Sequence, residues 1–462
     1  MEMDWDRLAG LVERHLTDAP RYTSYPTAPA WREDYGPREL GRALEASGGS
    51  EEPLSLYAHV PFCRSLCHFC ACNRVITRDP ALPERYLDAI EREVEAVRSR
   101  MGGERPVSQL HWGGGTPTHL APDQIRRLFR ALTAAWRLRE GAEVSIEVDP
   151  RVTTVEHVHT LRACGFNRLS LGVQDFDPRV QAAVHRIQPL ETTAELTAEA
   201  RAAGFGSVGY DLIYGLPFQT EASFARTLET ILELAPDRVA IYGYAHVTWV
   251  AKQQRGFERT DLPEPAERIR LLVLAVRRLL KGGYVHVGMD HFARPGDELA
   301  RAQQQGRLRR NFMGYTTQPG IELLGFGPSA ISELRDGYAQ SRRDLAGWEE
   351  AVRKEGLATF RGHRLSEEDR ARREVISGLM CQGEVDAGRY RDRFGRDFSR
   401  DFAPELEALA PLEAEGLVER RTDGGLRVTG LGRLFVRNVA MCFDAYLPGQ
   451  RAAGRRVFSR TV

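Results

Sequence analysis

The sequence predicts an α/β protein whose parallel strands form a barrel, and three observations carry that prediction. Six short apolar or β-branched runs alternate with helical stretches. Each run ends in a polar residue or a glycine cluster that core packing alone would not choose. Four cysteines, Cys63, Cys67, Cys70 and Cys72, crowd the first of these ends. Strand–helix alternation implies βαβ units and parallel strands, and a parallel barrel gathers its chemistry at the C-terminal strand ends.

In chain order the strands are expected at Leu54–Val60, Ser108–Trp112, Glu143–Val148, Arg168–Val173, Ser207–Ile213 and Arg238–Ala245. In Pro83–Arg100, Tyr86, Leu87, Ile90, Val94 and Val97 recur at helical spacing. Pro122–Trp136, Val155–Cys164, Thr192–Ala203 and Glu221–Leu234 supply the other helices. Gly165 and Gly204 each follow a helix and precede a strand, as C-terminal capping glycines do. The alternation ends after Arg294, and Arg309–Tyr315 reads as a polar, aromatic loop. A separate segment is expected from near Asp344. It includes a helix end at Pro411–Gly416, a hairpin over Leu417–Val428 turning at Asp423 and Gly424, and a helix at Leu431–Met441. Such a wing resembles a winged-helix module, read here as packing over the barrel mouth rather than as a DNA reader. Arg451, Arg455, Arg456 and Arg460 read as a solvated basic end. The expected division is an arm over 1–50, a barrel with an extension over 51–340, and a C-terminal domain over 341–462.

Composition narrows the function. A length of 462 residues suggests two domains, or one large domain with an appendage. With 42% hydrophobic and 28% charged residues the chain can bury an ordinary core. Lys plus Arg equals Asp plus Glu at 64 each, which argues against a nucleic-acid binder driven by bulk charge. No signal peptide is evident after Met1. The most apolar helical segment, Leu271–Leu280, is too short and too interrupted by arginine to span a bilayer. A reducing cytoplasm is the expected location.

Cys164, Cys381 and Cys442 are isolated, so they offer no second ligand pair for a structural zinc site. A long chain without a secretory signal does not fit a disulfide framework. The clustered thiols therefore point to one soft metal centre, with iron–sulfur ahead of zinc. Around them, Gly113–Pro117 reads either as a tight turn or as bare backbone that a ligand approaches closely. Glu147 and Asp149 read as buried strand carboxylates in need of partners, suited to ribose hydroxyls or an ammonium group. Gln174 and Asp211 are single polar residues at the ends of apolar strands. Arg186 fits a surface arginine and a carboxylate clamp equally well. Tyr57, Phe62 and Phe69 flank the cysteines; core packing is their default role, though a flat adenine or tetrapyrrole would use the same faces.

The spacing C-x3-C-x2-C-x-C resembles that of the radical S-adenosylmethionine (SAM) enzymes. A wider set of segments resembles the oxygen-independent coproporphyrinogen III oxidase family: Pro20–Thr27, Tyr57–Phe62, Leu110–Thr118, Ile146–Pro150, Asn167–Ser170, Gly172–Phe176, Asp211–Pro217, Gly288–Ala293, Gly314–Gln318 and Arg437–Asp444. These span nearly the whole chain. The resemblance implies a partial (β/α)6 radical SAM barrel with an N-terminal arm and a mainly helical, winged-helix-like C-terminal domain. It implies a [4Fe-4S] cluster on Cys63, Cys67 and Cys70 whose fourth iron is open, and a Cys72 that is important without being a ligand. Tyr57, Gly114, Gly115, Thr116, Glu147, Gln174, Arg186, Asp211 and Ala245 would hold SAM on that iron. Phe69, Ile213 and Ile331 would lie near a second SAM. Ala71 stands where glycine is common, and Met313 where members carry a glutamine that helps hold the second SAM.

The implied reaction uses a SAM-derived 5′-deoxyadenosyl radical to oxidise and decarboxylate two propionates of coproporphyrinogen III to vinyl groups. The product is protoporphyrinogen IX, in haem synthesis. The implied partners are a flavodoxin- or ferredoxin-like electron donor and a terminal acceptor; a monomer is expected. Tyr22 and the arm Pro20–Thr27 are expected to act at the active site, as a lid over the substrate. Arg21 is a candidate partner for a substrate carboxylate. The alternatives are a haem-binding chaperone or a haem-ring-opening protein of the same superfamily; Cys72, the arm and the Arg437–Asp444 segment favour the oxidase.

Overall fold

A computed structural model describes residues 5–248, 251–318, 322–452 and 458. Its six central strands are β1 (Leu54–Val60), β2 (Val107–Gly114), β3 (Leu138–Val148), β4 (Arg168–Gln174), β5 (Ser207–Tyr214) and β6 (Arg238–Gly243). Each pairs in parallel with the next in chain order. Helices Ala81–Met101, Pro122–Ala135, Val155–Cys164, Leu190–Ala202 and Glu221–Leu234 connect them. β4 shows how sequence sets the two faces. Leu169, Leu171 and Val173 are buried, while Arg168, Ser170, Gly172 and Gln174 are only partly so, so the alternation puts one polar side chain after another on a single face. Gly165 and Gly204 sit at φ of 103° and 88°, where a glycine turns the chain from helix to strand without steric cost.

The sheet does not close. It has twelve strands, and beyond β6 it continues antiparallel into His291–Ala293 and Val285–Gly288. On the other edge Leu323–Phe326 pairs in parallel with β1, followed by antiparallel Ile331–Leu334, Gly337–Ser341 and Thr359–Arg364. The division expected at 340/341 therefore cuts a strand, and the sheet runs on to Arg364. These strands escaped sequence reading because they are only three to six residues long, too short to show a period. For the same reason Arg309–Tyr315, expected as a loop, is largely a hairpin of Arg309–Asn311 with Gly314–Thr316. After Arg364, helix Glu367–Gln382 leads into a wing in which Leu426–Val428 pairs with both Val418–Arg420 and Glu384–Val385. The helix expected over Leu431–Met441 is a 3-10 turn, Gly432–Phe435, followed by a short α-helix, Val436–Met441. Arg455, Arg456 and Arg460 lie outside the described residues.

The N-terminal arm corrects the lid reading. Helix Trp5–His15 and residues Tyr22 and Tyr25 share one hydrophobic core with the C-terminal helices. Tyr22 is 5% exposed and its hydroxyl donates to Asp444 at 3.0 Å. The Tyr25 hydroxyl accepts from the Ala445 N–H at 3.1 Å, and its carbonyl accepts from the Tyr338 hydroxyl at 3.2 Å. The arm is a buried strap, tied at residues more than four hundred positions away in sequence. Tyr25→Ala removes a fully buried ring and should cost about 3–5 kcal/mol. Chemical denaturation followed by tyrosine and tryptophan signals checks this; a midpoint unchanged from wild type contradicts the strap.

Helix Ala81–Met101 carries an unusual core acid. Glu93 is 2% exposed and accepts from the Gly327 N–H at 2.7 Å and the Trp348 indole N–H at 3.2 Å. Burial pushes its carboxyl up to about 7, against hydrogen bonds that pull it down. Between the unfolded value of about 4.5 and about 7, the folded state holds a proton that the unfolded state has lost. Stability from this group is present at low pH and falls as pH rises through that window. Melting scans from about pH 5 to about pH 8 should show a decline in wild type that Glu93→Gln flattens.

Candidate functional site

The cysteine loop begins where β1 ends. Phe62–Cys63 pairs with Val75–Ile76, and the Thr77 N–H closes back on the Cys63 carbonyl at 3.0 Å. All four thiols are free of disulfides. The His68 N–H donates to the Val184 carbonyl at 2.9 Å, and the His68 and His185 rings stack with centres 5.3 Å apart. A third clamp comes from beyond β6. The Gln254 side-chain amide donates to the carbonyls of Phe69 and Ala245, both at 3.0 Å, and Gln253 donates to the Cys70 carbonyl. The loops after β1 and β6 are thereby joined.

Two guanidiniums face the thiols. Arg151 Nη2 lies 3.3 Å and Arg186 Nη1 3.6 Å from Cys67 Sγ. Both also bind Asp149, at 2.7 Å and 3.1 Å, so one buried carboxylate fixes the pair. Arg186 further donates to the Gly172 carbonyl at 2.7 Å. Burial resists ionisation of Asp149, but these arginines outweigh it and hold the carboxyl below its ordinary range. Burial pushes the Cys63 thiol up to about 11, whereas the side-chain hydrogen bond with Cys72 pulls Cys70 down to about 6. Cys72 is raised by the same contact and then by desolvation, with Glu147 and Cys63 nearby, and is accessible to solvent. Among the described residues no three His, Cys, Asp or Glu side chains meet as a single bound ion would need. An iron–sulfur cube instead spreads its thiolates over separate irons. Thiols on one loop, with fixed cations beside Cys67, fit such an anionic centre.

The open mouth next to the loop is polar. The Tyr57 hydroxyl meets His59 Nδ1 at 3.0 Å, and its ring stacks over His111. His111 Nδ1 meets the Ser145 hydroxyl at 2.7 Å, and its Nε2 is 3.6 Å from Glu147. The Glu147 side chain is 49% exposed, so it is not the buried carboxylate expected; it points into the mouth. Desolvation there opposes its charge, but His111 and the Gly114 N–H keep it below the usual range. Asp211 accepts from the Ser170 hydroxyl at 3.1 Å, and burial with Glu147 nearby pushes it up to about 7. Gln174 holds a left-handed φ of 68°, a strained backbone of the kind that clusters at working sites. The glycines serve the protein's own packing as well as any ligand. A Cβ on Gly114 would meet the His59 ring at 2.6 Å, and one on Gly115 the Pro61 backbone at 2.6 Å. Thr116 Oγ1 lies 3.5 Å from Cys63 Sγ.

Comparison with known proteins bears on this arrangement. A family model described as the Radical SAM superfamily matches residues 57–231, and one described as the HemN C-terminal domain matches residues 365–435. The oxygen-independent coproporphyrinogen III oxidase of Escherichia coli K12 is 45% identical over 461 residues, covering 100% of this chain and 99% of that one. The Synechocystis protein of the same name is 43% identical over 458 residues, covering 98% of each. The chain belongs to the oxygen-independent coproporphyrinogen III oxidase family. The solved E. coli family member, described as a radical SAM enzyme, superposes with a TM-score of 0.91, covering 96% of this chain and 100% of that one. The match confirms the α/β radical SAM fold, with its sheet left open and a helical C-terminal unit.

Against the family frame, most expected site residues converge. Cys63, Cys67, Cys70, Gly114, Gly115, Thr116, Glu147, Gln174, Arg186 and Ala245 lie at the C-terminal strand ends or in the connections that follow, whereas Tyr57 and Asp211 lie mid-strand. Phe69 and Ile213 share one apolar cluster, whereas Ile331 packs in another with Trp31 and Phe312. Met313 lies in the turn of the 309–316 hairpin, its N–H on Asn311. Tyr22 lies in the C-terminal core. Sequence reading missed Arg151, His59, His111 and Gln254. Arg151 stands two residues after a flagged carboxylate, a signal that was available; Gln254 carries none. Gln254→Ala should loosen both loops, raising KM for SAM about tenfold while cluster iron per chain stays within error of wild type. Iron assay beside steady-state kinetics checks this.

Proposed function

We propose that this chain carries out the oxygen-independent oxidative decarboxylation of two propionates of coproporphyrinogen III, giving the vinyl groups of protoporphyrinogen IX. The observation that carries it is the cysteine loop held against Asp149-bound arginines, in a chain that aligns end to end with relatives named for this oxidation. A [4Fe-4S] cluster and SAM, when bound, supply the electron and the 5′-deoxyadenosyl radical that removes hydrogen from the propionate.

The chain's own residues do the positioning. Cys63, Cys67 and Cys70 would hold the cluster, with Arg151 and Arg186 offsetting negative charge at Cys67. Tyr57, Gly114, Gly115, Thr116, Glu147, Gln174, Asp211 and Ala245 line the place for SAM, where Glu147 and Asp211 suit an ammonium group or ribose hydroxyls. Phe69 and Ile213 would meet a second SAM on one side and Ile331 on the other. Cys72, exposed beside Cys70, is assigned a catalytic rather than a ligand role. The unit after Arg364 is read as a cover for the open side of the barrel, with the arm strapped to it.

The remaining partners follow from the chemistry. One strong reductant must supply electrons, of the flavodoxin or ferredoxin class, and an acceptor must take the second electron of each decarboxylation. We assign the chain to the cytoplasm as a monomer. No described helix is long and apolar enough to cross a membrane. Arginines of the wing pair within their own unit, Arg420 with Glu413, Arg421 with Glu384 and Arg427 with Glu419, which supports a packing role over nucleic-acid binding.

The test is anaerobic: reconstituted protein, reductant, SAM and coproporphyrinogen III, with porphyrins analysed after oxidation. Cys63→Ser, Cys67→Ser and Cys70→Ser should each lose cluster iron and all SAM cleavage. Cys72→Ser should keep its iron and lose most vinyl product. Loss of iron in the Cys72 variant would reverse the ligand assignment, and a haem complex without turnover would favour the chaperone.

A further inference from the structure

Large apolar side chains are almost all covered, and the exceptions are gathered in one place. Among the described residues, those that stand exposed are Ile187, Val155, Ile76 and Leu190, at 60%, 55%, 43% and 37%. All four lie on the segments that make up or hold the cysteine loop. Ile76 pairs with Cys63. Ile187 follows Arg186, which reaches Cys67 Sγ, and Leu190 stands three residues on. Val155 opens the helix that comes after Asp149 and Arg151. Exposed hydrophobics scattered singly need no explanation, but four on the supports of one loop point to a contact surface.

Charge is just as uneven there. The whole chain balances Lys plus Arg against Asp plus Glu at 64 each. Yet residues 61–78 carry Arg64, Arg74 and Arg78 and no acid, and residues 178–190 carry Arg179 and Arg186 and no acid. Arg64, Arg78 and Arg179 are exposed, as is His185, whose Nδ1 donates to the Leu66 carbonyl at 2.9 Å. Arg74 donates to the Cys72 carbonyl at 2.7 Å. The charge of Arg64 is felt at His119 and at His157, on the first turn of the helix that Val155 opens. The clamp residues Gln253 and Gln254 are themselves flanked by Lys252 and Arg255, both exposed. In sequence, acids come only where these segments end, at Asp79, Glu156, Asp177 and Glu191, and Asp177 is paired with Arg226 at 3.4 Å.

Apolar side chains among cations suit a transient partner whose own surface is acidic. The chemistry of the site says what that partner brings. The reaction needs one electron delivered to the centre on the cysteines, and the patch is built on the backbone that holds those thiols. In that step the reduced flavin anion of a small carrier gives up one electron and becomes neutral, and the centre gains the electron, so no proton has to cross the interface. A flavin ring also offers a flat apolar edge, which exposed aliphatic side chains such as Ile187 and Leu190 accept.

We infer that the face carrying Arg64, Ile76, Arg78, Val155, Ile187 and Leu190 is the docking surface for a small, acidic, flavin-bearing electron carrier of the flavodoxin class. The inference rests on the reaction proposed above. The probe is a purified acidic flavodoxin, with a [2Fe-2S] ferredoxin beside it. Full-length, cluster-reconstituted Arg64→Glu, Arg64→Lys and Ile187→Ser are compared with wild type and with Arg427→Glu, a charge reversal on the C-terminal wing. Kd for the oxidised flavodoxin is measured by anaerobic calorimetry at about 20 mM and about 200 mM salt, a range over which screening sets in. SAM cleavage without coproporphyrinogen III is then driven by reduced flavodoxin, or by dithionite, which is too small to need docking.

Expected is a rise of about tenfold in Kd in Arg64→Glu and in Ile187→Ser, with Arg64→Lys near wild type. Flavodoxin-driven cleavage should fall to match, while dithionite-driven cleavage, iron content and Arg427→Glu stay at the wild-type level. Wild-type Kd should weaken between the two salts, and that of Arg64→Glu less steeply. Unchanged Kd in both Arg64→Glu and Ile187→Ser overturns the docking surface. Equal loss with dithionite in both overturns it too, as does wild type that binds and oxidises only the ferredoxin. Neither readout uses the porphyrin, so failure to convert coproporphyrinogen III refutes the reaction, and the binding data decide the surface by themselves.

Discussion

The Asp149 carboxylate is the fixed point of the site. It sits at the end of β3, nearly buried, and binds Arg151 from its own turn and Arg186 from beyond β4. A carboxylate so placed is costly alone, and the two guanidiniums would be costly beside each other without it. Together they make a rigid unit that offers positive charge to Cys67 from one side. Removing Asp149 would leave two cations facing each other next to a thiol, so the cysteine loop depends on a strand far from it in sequence.

The second constraint is the open sheet. Parallel strands bury their outer faces under helices, which leaves the inner faces free for His111, Ser145, Ser170 and Asp211. A closed barrel of this width would have to fill that interior. An open one must instead cover its far edge and mouth with other segments. Here the strands from Leu323 to Arg364 extend the sheet past β1, and the arm and the C-terminal helices pack into one core beside it. The arm packs against the C-terminal unit: Leu8, Leu11, Tyr22 and Tyr25 join a core built mostly from residues between Ala371 and Phe443.

The six central strands and their helices were legible because their signals are local. Apolar runs such as Leu54–Val60 and periodic helices such as the one read in Pro83–Arg100 declare themselves locally, and the observed elements, Leu54–Val60 and Ala81–Met101, match them closely. The site was legible where chemistry is dense, at the cysteines, and where a polar residue ends an apolar strand, as at Gln174 and Asp211. What stayed hidden was set by distant partners. Tyr22 meets Asp444, and Gln254 meets Phe69 and Ala245, through contacts that leave no periodic trace. The strands from Leu323 to Arg364 were hidden for a different reason, being only four to six residues long.

The strap has a consequence for how the protein comes into being. Residues 19–22 leave the ribosome among the first, yet the groups that hold them, Arg437 and Asp444, are among the last. At elongation rates of about 5–20 residues per second, tens of seconds separate the two. The cysteine loop and the six central strands are made within that interval, before Arg437 and Asp444 exist to hold the arm. The contacts that tie the arm down are thus the last of the strap to form, after the strands that carry the site.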